Sequence, residues 1–141
     1  MLIEHKYEDK TTYSYKNYVC PYCLYTLNEC KCEVYPPHHL VMIDIGIQHV
    51  IRVLNKKGYK TIGCCEGHYG LMSPSIHIIF NRNYNYKLPE GFKMVKNGTG
   101  IEHDYNRKIS EEDWKIEKKK YLEILTKWAE GLPDIDNGKR R

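Results

Sequence analysis

Two groups of side chains in this 141-residue chain could do chemistry. The first is Cys20-Pro-Tyr-Cys23 followed by Cys30-Lys-Cys32. Zinc takes four tetrahedral ligands, with sulfur at about 2.3 Å, and a Cys-x-x-Cys turn can offer two thiolates to one ion because its backbone amides point at the sulfurs. The expected site is a structural zinc ion on Cys20, Cys23, Cys30 and Cys32, with reduced surface thiols or a redox pair as the alternative. His38 and His39 follow within reach, and either is an alternative ligand to Cys32. Four thiolates would close the coordination shell, so this metal would stabilise the fold without catalysing.

The second group lies in Tyr59-Lys-Thr-Ile-Gly-Cys-Cys-Glu-Gly-His68 and Ser75-Ile-His-Ile-Ile-Phe80. Both read as strands, and a period of two places Thr61, Gly63 and Cys65 on one face of the first and Ile62 and Cys64 on the other. In the second, Ile76, Ile78 and Phe80 share an apolar face with Ser75, His77 and Ile79 opposite. If the apolar sets meet one core, Thr61, Cys65 and His77 point together, beside the turn carrying Glu66 and His68. Cys65, His68 and His77 could then hold a second zinc with an open position, leaving Glu66 as acid or base. A Cys65 thiolate activated by a histidine is a second chemistry. The third reading is structural: Cys64 in the core, Cys65 a small filler, and Gly67, His68 and Gly70 a tight turn. Arg82 and Tyr84, in the loop Asn-Arg-Asn-Tyr-Asn-Tyr86, could grip a phosphate and stack on a ring. The candidate ligand-binding set is thus Thr61, Cys65, Glu66, His68, His77, Arg82 and Tyr84.

The elements that must position these residues follow from periodicity. Residues 1–18 are polar and tyrosine-rich, a loose arm or an edge strand near 12–18, and Pro36-Pro37 punctuates the chain after the cysteines. Residues 40–43 suit a short strand. Ile47, Val50, Ile51 and Leu54 recur at helical spacing, which predicts a helix over 45–57 with Asp44 as N-cap, Lys56 and Lys57 at the C-terminal dipole and Gly58 as terminator. His49 and Arg52 fall off its apolar stripe. Asn97-Gly98 signals a tight hairpin that pairs Met94 with Ile101 and Phe92 with His103, which makes His103 a packed residue. Ser110-Glu-Glu-Asp113 is a capping box for an amphipathic helix over 111–130, with both tryptophans on its buried stripe and Lys118 to Lys120 on a solvated face. Gly131 and Pro133 end it, and residues 134–141 are expected to form a mobile basic tail.

Composition bounds the function. Lys and Arg number 22 against 18 Asp and Glu, a net charge of +4, too slight to indicate nucleic acid alone. The N-terminus lacks the apolar core of a secretory signal and no run could span a bilayer, which predicts a cytoplasmic protein without membrane partners. In that compartment the six cysteines are metal ligands or free thiols before they are disulfides.

The segments CPYC, CKC, DIGIQHVIRVLNKKGYKTIGCCEGH, SIHIIF, LPEGFK and EEDWKIEKKKYLEIL resemble a group of small proteins from Firmicutes and their phages. The resemblance implies a mobile-element or phage accessory protein, and implies no activity or site residues. A shorter likeness joins Thr61 to His68 to the T-x-x-S-C-x-G strand-turn of wybutosine-synthesising tRNA methyltransferases, with Cys64 in place of serine and His68 in place of arginine.

The expected architecture is α+β: residues 1–35 a polar arm and zinc knuckle, 36–133 a small, mostly antiparallel sheet packed by two helices, and 134–141 the tail. The leading expectation is a non-enzymatic binding protein, with an anti-defence or regulatory role, for a nucleotide-like ligand, a nucleic acid or a host protein. A homo-oligomer is compatible with the chain. The alternatives are a metal-dependent enzyme at the Cys-Cys-Glu-Gly-His turn and a structural interaction module.

Overall fold

Alternation along Ser75–Phe80 gives one strand a wholly buried face of Ile76, Ile78 and Phe80, and the fold is assembled on that face. A computed structural model describes residues 5–6, 12–13, 17–26, 28–32, 40–70, 75–105 and 108–135. The polar arm contributes a two-stranded ribbon of β1 (His5–Lys6) and β2 (Thr12–Tyr13), and a second ribbon pairs β3 (Tyr18–Val19) with β4 (Val41–Met42). A 3-10 turn, Ile45–Ile47, leads into α1 (Gln48–Lys56). Then follow β5 (Thr61–Cys65), β6 (Ser75–Phe80), β7 (Lys93–Val95), β8 (Gly100–Asp104) and α2 (Glu111–Gly131). β5 to β8 form one antiparallel sheet in the order β5-β6-β8-β7, so the architecture is the expected α+β.

The helices cover one face of that sheet. Ile47, Val50, Ile51 and Leu54 meet Ile76, Ile78, Phe80 and Ile101, and Trp114, Leu125 and Ala129 close the core from α2. Each fully buried aliphatic of this kind contributes about 1.5–3 kcal/mol. Helix 45–57 is therefore present in outline, but its first turn is 3-10 and Asp44 makes no capping bond. The Asp44 carboxylate is engaged elsewhere, by His68 and the Glu66 amide. At the other end Gly58 takes a φ of 103° just past Lys57, the left-handed stop expected of it.

Lys57 does not serve its own helix. Its ammonium reaches the carbonyls of Ala129, Glu130 and Leu132 at the end of α2, where helical donors run out and Ala129 O otherwise takes only the Leu132 amide at 3.2 Å. Tyr59 donates to the Pro133 carbonyl at 2.7 Å, and the Ile135 amide to Lys57 O at 2.9 Å. The chain is tied down as far as residue 135, and the rest of the tail expected from 134 lies outside the described residues.

Two other expectations hold by register and one fails. The hairpin pairs Met94 with Ile101 around Asn97 (φ 57°) and Gly98 (φ 91°). Ser110 accepts the Asp113 amide at 3.1 Å as the capping box requires. Lys118, expected on a solvated face, instead turns inward to Glu66 at 2.7 Å, with its side chain only 17% exposed. Trp128 is half-buried at the rim, edge-on to Tyr86.

Candidate functional site

The sulfurs of Cys20, Cys23, Cys30 and Cys32 lie within 4.8 Å of one another and could hold a metal ion. The chain folds to this shape because Leu24 adopts a φ of 66°, reversing direction so that its amide meets Cys20 O at 2.8 Å while the Cys20 amide reaches Tyr25 O at 2.9 Å. The amide of Tyr22 then donates to Cys20 Sγ at 3.3 Å, and that of Cys32 to Cys30 Sγ at 3.4 Å. Burial opposes ionisation of Cys20, but amides of Cys23 and Tyr22 and its neighbouring thiols bring it down to about 7. Burial pushes Cys23 up, and desolvation followed by bonds to its sibling thiols pushes Cys32 up to about 12. A cation bound by thiols deprotonates them outright. His38 and His39, the alternative ligands, lie outside the described residues, as does Pro36-Pro37.

Arg52 bolts this knuckle to α1. Its Nε donates to Leu24 O at 2.7 Å, Nη2 to Gln48 Oε1 at 3.1 Å, and the guanidinium lies 4.2 Å over the Tyr25 ring. The residue read as off the apolar stripe thus ties the cysteine segment to α1. Its periodicity was legible; its partner, 28 residues away, was not.

At the end of β5 the structure rearranges the second expected site. Cys65 pairs with His77 across the ladder, so those two share a face as the period of two predicts. Thr61 does not share it. The register slips between Thr61 and Gly63, leaving Ile62 as a bulge that is 70% exposed and turning Thr61 toward α1, where its hydroxyl accepts from Asn55 Nδ2 at 3.0 Å. The Glu66 carboxylate, read as acid or base, is held by Lys118 at 2.7 Å. Arg82 and Tyr84 sit at the opposite end of the β5–β6 pair. Arg82 stacks 4.0 Å over the Tyr84 ring, which itself packs edge-on against Phe80 and Tyr59. Tyr84 and Tyr86 are half-buried supports of the core.

What gathers at the turn is Asp44, Cys65 and His68, whose ligand atoms lie within 4.8 Å of one another. His68 Nε2 is 3.2 Å from Asp44 Oδ2, and both side chains are largely buried. The Glu66 amide donates to the same Oδ2 at 3.0 Å, and the Gly67 amide to Cys65 Sγ at 3.3 Å. Bonds from Asp44 and Cys65 raise His68 to about 9, whereas burial lowers His77. Burial pushes the neighbouring Cys64, half-buried against the core, up to about 12. Asp44 is the residue missing from the sequence-based set: an aspartate before a helix reads as a cap, and only the fold shows its carboxylate spent on a turn 22 residues on.

Gly67 makes that turn possible. It has a φ of 87°, and a Cβ there would stand 2.5 Å from the Tyr105 ring and 3.1 Å from Ser75 O. Gly70 has a φ of 81° but open space around it. Gly67→Ala is therefore expected to destabilise the protein by about 2–4 kcal/mol, strain and overpacking together, against roughly 1 kcal/mol for Gly70→Ala. Urea unfolding of the two variants measures the difference.

A cleft of about 640 Å³ separates the knuckle from the free edge of β5. It is lined by β4 and Ile43, by residues 61–64, and by Tyr22 and Tyr25. Arg52, Lys56 and Lys60 line it, and among the described lining residues none is acidic. Tyr22 is 65% exposed and Met42 50%.

No protein-family model matches the chain, and no curated protein or solved structure resembles it significantly. Among the described residues no helix is long and apolar enough to cross a membrane.

Proposed function

We propose that this is a zinc-stabilised, non-enzymatic binding protein that takes an extended, acidic segment of a partner polypeptide into the cleft between β4 and β5. Zinc is the metal that suits a set of four thiolates. The observation that carries the binding reading is the wall of the cleft: an edge strand that has β6 on one side only, facing a second strand, with cations but no carboxylate among the described lining residues. Edge strands bind peptides by adding a strand, with main-chain bonds giving affinity and side-chain pockets giving selection. The Thr61 amide is occupied by Asn55 and the Glu66 amide by Asp44, which confines the available edge to residues between them.

Aliphatic Val41, Met42 and Ile62 favour peptide side chains over bases, and the modest net charge of +4 favours a local acidic segment over a phosphate backbone. The resemblance to proteins of Firmicutes and their phages supports a host protein as the partner, with an accessory, anti-defence or regulatory role.

The test is fluorescence anisotropy with a panel of labelled ten-residue peptides in which β-branched and acidic residues alternate, alongside single-stranded DNA of equal charge. Peptide binding that raises the melting temperature, and weakens at least tenfold in Lys56→Glu/Lys60→Glu, is expected. Preferential binding of the DNA, or no response to the charge reversal, would remove the polypeptide reading.

A further inference from the structure

Away from the cysteine knuckle, we propose that Asp44, Cys65 and His68 form a second metal site, a mononuclear centre for a zinc-class divalent ion with an exchangeable fourth position. The argument is one of convergence. In a relay trio the imidazole stands between thiol and carboxylate, and two hydrogen bonds plus the width of the ring hold sulfur and oxygen roughly 7 Å or more apart. Here sulfur, nitrogen and oxygen all lie within 4.8 Å of one another, so the three atoms face one point and do not form a line. Tetrahedral zinc, with bonds of about 2.0–2.3 Å, spaces neighbouring donors roughly 3.3–3.8 Å apart. The Asp44–His68 separation of 3.2 Å is already near that edge.

The surroundings are those of ligands held in place. The Gly67 amide fixes the Cys65 sulfur and the Glu66 amide fixes the Asp44 carboxylate, the outer hydrogen bonds that orient metal ligands. Gly67 is itself pinned, since its carbonyl accepts from Lys118 at 3.0 Å and the Glu66 carbonyl accepts from Tyr105 at 3.1 Å. Three different elements supply the donors: the segment before the 3-10 turn, the end of β5, and the turn after it. A set of one sulfur, one nitrogen and one oxygen suits a borderline ion such as Zn²⁺ or Co²⁺, and three protein ligands leave room for water or a small anion. His77 faces Cys65 across the ladder but stands outside the mutually close trio, so it is not a ligand.

The experiment is metal analysis of the full chain after dialysis against excess zinc, followed by Co²⁺ titration of the zinc-loaded protein. Two zinc ions per chain are expected in the parent protein. Cys65→Ala and His68→Gln should each hold one, while His77→Gln keeps two. Cobalt should exchange into the weaker site, giving the visible bands of a four-coordinate ion and one thiolate charge-transfer band that Cys65→Ala abolishes. Melting temperature and retention of the first ion confirm that each variant is folded. If Cys65→Ala fails to fold, His68→Cys decides the matter, since it should keep two zinc ions and intensify the charge-transfer band. One zinc per chain in the parent, or a second ion indifferent to Cys65 and His68, would overturn the proposal.

Discussion

Replacing Cys20 by serine is expected to strip one metal ion from the chain and lower the melting temperature by on the order of 10 °C or more. Of the four knuckle thiols Cys20 is fully buried, and it follows Val19, itself 0% exposed and part of the main core. Loss of a structural metal removes several kcal/mol because the site does not exist in the unfolded chain, so its binding energy is folding energy. A domain of this size converts each kcal/mol into roughly 3 °C. Serine also leaves a hydroxyl in a fully buried place beside the amide of Tyr22. Cys32→Ser, at the exposed corner, should weaken metal affinity with a smaller fall in melting temperature. Cys64→Ala, at a half-buried thiol belonging to neither cluster, should retain the metal. Scanning calorimetry with metal analysis on the three variants checks the order. A Cys20→Ser protein with unchanged metal content would show that the four sulfurs meet for another reason.

The parts of this fold legible in the sequence are those decided within a few residues. Ser110 and Asp113 sit one helical turn apart, Asn97-Gly98 fixes its own hairpin, and the alternation of Ile76, Ile78 and Phe80 needs no partner to be read. The four-cysteine cluster was legible for the same reason, since its sulfurs fall close together in sequence. Long-range pairings were not. Asp44 with His68, Arg52 with Leu24, Lys57 with the end of α2 and Lys118 with Glu66 each join residues more than 20 positions apart. In each case a charged side chain was assigned its local default, a cap, a dipole partner or a solvated face, when the fold used it for a distant polar group. Thr61 failed differently. A single bulged residue, Ile62, inverts the alternation from there backward, and a β-bulge leaves no mark in a run of five strand residues.

Lys118→Met is expected to cost about 3–5 kcal/mol, more than any other single surface-helix change, because it leaves a buried carboxylate without its counter-ion. Glu66 and Lys118 side chains are 14% and 17% exposed, and Glu66 Oε1 has no hydrogen-bond partner among the described residues. That oxygen is hemmed in by Gly46, where a Cβ would stand 2.5 Å away, so the carboxylate has little room to turn toward water. The ammonium also holds Gly67 O and lies 4.9 Å over the Trp114 ring. Its loss therefore loosens the turn that carries Cys65 and His68 as well as the ion pair. Replacing both partners, Glu66→Leu with Lys118→Met, removes the two charges together, and buried pairs exchanged for apolar side chains are often neutral or better. The double variant should be at least about 2 kcal/mol more stable than the sum of the single losses predicts. Urea unfolding of the four-member cycle measures this coupling. Losses that add to within about 0.5 kcal/mol would mean that the two charges stay solvated and that Gly67 is held by its own backbone geometry.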